Sequence, residues 1–100
     1  MFFITCFKKI ETDRNGFLDT GYTRTFGFKE TLEEAEKALN ENRCDMRETI
    51  YNYAVVEELD AGIHPEVKQE VWFAWNEEKQ GFYRIEKPEA TTHFCNFAFG

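Results

Sequence analysis

From Phe2 to Ile10 the chain reads as a strand with apolar residues on both faces: Phe2, Ile4, Cys6 and Ile10 on one, Phe3, Thr5 and Phe7 on the other. A strand patterned this way belongs inside a sheet rather than at its edge, because neither face is suited to water. This feature, more than any other, limits what the chain can fold into.

The other segments supply partners for that strand. Asp13-Arg14-Asn15-Gly16 is a turn signal, since Asn-Gly readily supplies the positive φ angles of a tight hairpin, and Tyr22–Phe28 reads as the next strand. Thr31-Leu32-Glu33-Glu34 is a capping box and starts a helix expected over about 31–42, with Leu32, Ala35 and Leu39 on its buried side. Asp45-Met46-Arg47-Glu48 resembles a second helix start, giving a short helical turn to about Ile50. Strand character returns at Tyr51–Leu59, and Ala61–Pro65 punctuates as a loop. Val71–Trp75 and Gly81–Glu86 form a hairpin around the polar turn at residues 76–80, and Lys87-Pro88 ends it. His93–Phe99 carries too many rings to lie free in water and is expected as a docked terminal strand, beside the first strand. The expected fold is α+β: a mostly antiparallel sheet of five to six strands with one main helix packed on one face.

With 100 residues there is material for a single domain, 1–100, and 17% aromatic residues mean that rings dominate its core. The net charge of −7 argues against duplex nucleic acid or an anionic membrane as partner, and suits solubility or docking on a basic protein. No segment has the length of a membrane span and none reads as a signal peptide, so a cytoplasmic location is expected. Cys6, Cys44 and Cys95 are odd in number and lack zinc or disulfide spacing; Cys6 and Cys95 read as buried thiols within strands.

Catalytic chemistry finds little support. His93 and Cys95 would share one face of the terminal strand, but no orienting group accompanies them, and a small enzyme using this pair is the least favoured reading. The six glycines are scattered rather than gathered in a phosphate loop, and acidic pairs such as Glu57-Glu58 read as a solvated face. No metal or cofactor is expected.

The most informative stretch is Tyr22–Phe28, where period-two alternation puts Arg24 on one face with Tyr22, Phe26 and Phe28. Such an arginine either stacks on a ring and pairs with a carboxylate, or points into a pocket where its planar fork grips phosphate and rings stack a base. Arg84, near Trp72 and Trp75, repeats the theme. Tyr22, Arg24, Phe26, Trp72, Trp75 and Arg84 are therefore the candidate ligand-binding residues.

Arg24–Phe28, Ala35, Asn42, Asp45 and the run Glu48–Glu58 resemble a group of short uncharacterised proteins from Gram-positive gut bacteria and from their phages and mobile elements. The resemblance implies a setting and no activity; by analogy, small phage proteins of this kind act as counter-defence factors. The leading expectation is a non-enzymatic protein that sequesters a small anionic nucleotide-type ligand, such as a host immune signal. The alternative is an acidic inhibitor of a basic host protein; a second copy of the chain is a further candidate partner.

Overall fold

The computed structural model describes residues 1–41, 51–60 and 66–98. The expected helical turn at 45–50, the loop at 61–65 and Cys44 lie outside the described residues.

The elements run β1 (Phe2–Phe7), β2 (Glu11–Thr12), β3 (Leu18–Asp19), β4 (Thr23–Lys29), α1 (Leu32–Glu41), β5 (Tyr53–Leu59), β6 (Val67–Asn76), β7 (Gly81–Ile85) and a 3₁₀ turn at Glu89–Thr91. Five strands form one sheet in the order β4-β1-β5-β6-β7, antiparallel throughout, and β2-β3 is a separate small hairpin. The apolar-on-both-sides strand β1 is internal, as its pattern requires. The fold is α+β, a five-stranded antiparallel sheet with one helix packed against it.

Helix α1 starts at its box: the Thr31 hydroxyl accepts the Glu34 N–H at 3.2 Å, which satisfies one of the orphan donors of the first turn. Ala35 and Leu39, four residues apart, are buried, and Leu32 and Ala38 pack beside them. Beneath them lie Ile4, Cys6, Ala54, Val56, Phe73 and Phe82 from four strands. The opposite sheet face carries a second cluster of Phe7, Val55 and Trp72, with Ile10, Tyr53, Ile85 and Phe97 against it. Ile10 thus joins the opposite face from Ile4 and Cys6, because β1 ends at Phe7 and period two stops applying there.

Two expectations need correction. No strand forms over 93–98; after the 3₁₀ turn this segment is irregular. Both edges of β1 are already hydrogen-bonded, to β4 and β5, so the aromatic run has no ladder to join and covers a sheet face instead. Nor do Tyr22, Arg24, Phe26 and Phe28 share one face. Ile4 opposes Gly27 while Thr5 opposes Thr25, leaving Phe26 as the extra residue of a β-bulge. Gly27 adopts φ +136°, which L side chains rarely adopt, and the bulge sends Phe28 to the far face, where its ring lies 5.3 Å from that of Phe3.

Candidate functional site

The structure does not gather the six candidate residues into one cavity. Arg24 lies on β4 and Arg84 on β7, the two edges of the sheet, roughly 19 Å apart across four strand spacings of about 4.8 Å. The Arg24 guanidinium lies 4.8 Å from the centroid of Phe26, whose ring meets Tyr51 edge-on at 5.6 Å. Arg84 is gripped by Glu36 of α1, through Nε at 3.1 Å and a terminal nitrogen at 2.6 Å, and this bond raises its already high pKa. Trp72 is buried on the face away from the helix, stacked on Phe7 at 5.6 Å. Trp75 packs edge-on against Phe82 at 5.2 Å and donates to Glu77. Tyr22 is exposed, under the ammonium of Lys8.

A cleft of about 440 Å³ opens elsewhere, on the face away from the helix. Phe7, Phe17, Leu18, Thr20, Thr23, Phe94, Cys95, Asn96 and Phe97 line it. The β2-β3 hairpin forms one wall. The Asp13 carboxylate accepts the N–H groups of Asn15 at 2.8 Å and Phe17 at 2.9 Å, and Gly16 at φ +84° completes the turn. Lys9 ties the two hairpin strands by pairing with Glu11 and Asp19, and that pairing raises the pKa of Lys9. The turn leaves Phe17 on the wall with 69% of its surface in water.

Residues 93–98 form the other wall, a strap laid across the sheet. Pro88 ends the extended run, Thr91 is buried with its hydroxyl donating to the Pro88 carbonyl at 2.7 Å, and the Phe94 N–H reaches the Thr91 carbonyl. Phe97 stands edge-on to Phe7 at 5.0 Å and to Trp72 at 5.5 Å. Beyond Asn96, in the left-handed region at φ 59°, the amides of Phe97 and Ala98 donate to opposite oxygens of Glu57 at 3.1 and 3.2 Å. Successive amides around an anion make a nest, and here the anion is a carboxylate of the protein itself.

Glu57 lies in β5 between Phe3 of β1 and Glu70 of β6, and is fully buried. Burial raises its pKa; amide bonds from residues 96–98 pull the other way, and the charge of Glu70 adds to the rise. Glu70 in turn accepts from the Trp72 indole at 3.2 Å and the Lys87 ammonium at 3.1 Å, and Lys87 also donates to the Phe94 carbonyl at 2.8 Å. A buried acid, Glu57, and its half-buried neighbour Glu70 are thus held by the amides of the strap and by one lysine.

The expectation that Glu57-Glu58 is a solvated acidic face is therefore corrected for Glu57: its alternation with Tyr53 and Val55 puts it on a buried face. That alternation was the available signal, as was Phe17 directly after Asn15-Gly16. Of the two thiols expected in strands, Cys6 is buried and its pKa is pushed up to about 12 by loss of solvation, whereas Cys95 is exposed and lines the cleft. His93 and Cys95 do not share a strand face, because that strand does not form.

Among the described residues no group of three or more His, Cys, Asp or Glu side chains could hold a metal ion, and no helix is long and apolar enough to cross a membrane. Comparison with protein-family models, with curated proteins and with solved structures finds no match.

Proposed function

We propose that this chain is a non-enzymatic binding protein that sequesters a small nucleotide-type ligand, stacking the base in the aromatic cleft between the β2-β3 hairpin and the strap. The observation that carries this reading is the pair Phe17 and Phe94, exposed by 69% and 46% on the two walls of one cleft. Rings so exposed add little to folding, and a stacked base is worth about 1–3 kcal/mol. A volume of about 440 Å³ falls within the range of small-molecule sites. Thr20 and Thr23, whose hydroxyls are hydrogen-bonded to each other at 2.7 Å, and Asn96 are the polar residues described in the lining. Among the described residues the lining has no Lys, Arg, Asp or Glu, so in this reading the binding energy comes chiefly from the rings. The resemblance to proteins of phages and mobile elements adds a setting, in which the ligand is a nucleotide immune signal of the bacterial host.

Thermal melting against mono-, cyclic and ADP-ribose-type nucleotides at millimolar concentration tests the reading, because any ligand of the native state raises Tm by mass action. A rise is expected, and Phe17→Ala should abolish it while leaving the unliganded Tm close to wild type. No rise across the panel overturns the proposal.

A second reading, an acidic inhibitor of a basic protein, is favoured by the outer side of α1, where Glu33, Glu34 and Glu41 stand exposed. Binding of this kind weakens steeply as salt is raised. Affinity for a basic partner that does not change with salt would remove it.

A further inference from the structure

We infer that residues 93–98 open as a unit while the sheet stays folded, with Glu57 as the positioning residue that closes them. Control of ligand entry by this strap rests on the binding role proposed above for the cleft; the opening itself does not.

The argument starts from what attaches the strap. It belongs to no strand ladder, and the backbone hydrogen bonds described for it run to its own neighbours, as from Phe94 to Thr91. Its polar ties are directional: Glu57 takes the amides of Phe97 and Ala98, and Lys87, itself paired with Glu70 of β6, takes the carbonyl of Phe94. Phe97 supplies a half-buried ring, and Phe94 and Cys95 face water. Closing the strap over Glu57 also strips water from a carboxylate whose cross-strand neighbour, Glu70, is another acid. The amide bonds and this desolvation oppose each other. The open state therefore lies much nearer in free energy to the closed one than the unfolded chain does, the situation in which a segment opens on its own. Because Phe94, Cys95, Asn96 and Phe97 line the cleft, opening removes one wall and leaves the hairpin wall with Phe17 in place.

Native-state hydrogen exchange on the wild-type protein tests this without any substitution. The amides of Phe97 and Ala98 should exchange through an opening that low denaturant does not accelerate, whereas those of Val55 and Val56 in β5 should follow global unfolding. Exchange of strap and β5 amides with one common denaturant dependence overturns the inference. In Glu57→Gln, which keeps the shape but turns one acceptor into an NH₂ donor, protection of Phe97 and Ala98 should fall by about tenfold or more, with β5 protection tracking global stability alone. Full wild-type protection of both amides in the folded variant also overturns it. A nucleotide that raises Tm should slow exchange in the strap. If none raises Tm while the exchange pattern holds, the strap stands and the binding role falls; if one raises Tm while strap and core exchange together, the binding role stands and the strap falls.

Discussion

The two faces of this sheet are covered by different physics. On one, α1 lays Leu32, Ala35, Ala38 and Leu39 over apolar side chains of the sheet, so that cover is held by contact area, which is non-directional and scales with burial. On the other, the strap contributes the ring of Phe97 and polar grips that include Glu57 on amides and Lys87 on a carbonyl. Apolar burial has to be lost with the core; a few hydrogen bonds, each with a modest net contribution in water, can be exchanged locally. A site that must open is better placed under the second cover, and the aromatic cleft lies there.

The comparison breaks most visibly at Leu39. Truncating Leu39→Ala removes a fully buried side chain at the helix–sheet contact and should cost about 2–5 kcal/mol in denaturant unfolding. Phe97→Ala removes a larger side chain, but from the strap, and should cost clearly less. Equal losses would mean that strap and helix are equally part of the cooperative core.

A smaller effect is expected at the start of the helix cover. Thr31→Ala deletes the hydroxyl that accepts the Glu34 N–H and should lower stability by about 0.5–2 kcal/mol, measured by the same unfolding experiment. A change indistinguishable from zero would show that α1 is held by packing alone.

The smallest effect is a slope with pH, and it sharpens the description of the strap. The pKa of Glu57 in the folded protein is raised above its ordinary value, so the native state binds more protons than the unfolded chain between those two values. The contribution of this group is then favourable at low pH and is lost as pH rises through the window above the ordinary glutamate range. Its size is small because burial and the amide bonds work against each other. Glu70, which adjoins Glu57, and Lys87, which pairs with Glu70, remain in the Glu57→Gln variant, so the difference between the two stability profiles from about pH 4 to 7 isolates Glu57. Profiles of identical slope would show that the carboxylate is no harder to ionise in the folded protein than in the unfolded chain.

Much of the fold was legible because it rests on local pattern. The two-sided apolar run of β1, the Asn-Gly turn, the helix start at Thr31 and the alternating hairpin strands are each written within a few residues, although β1 stops at Phe7 and the Asn-Gly turn closes the separate β2-β3 hairpin. The bulge at Gly27 was visible only as a glycine in a strand, which does not say which face the following ring takes. The burial of Glu57 was half legible, since its alternation with Tyr53 and Val55 is local but the amides that satisfy it come from 40 residues on.

By itself, then, the sequence determined which segments extend, where the helix begins and that β1 must be internal, because period and capping act over a few neighbouring residues. The tertiary structure alone decided that Arg24 and Arg84 lie at opposite edges of the sheet, that Arg84 serves Glu36, and that the aromatic C-terminal run crosses a face instead of extending the sheet. Those outcomes depend on strand order and on which ladder edges are already filled, and these are properties of the assembled sheet that no local window contains.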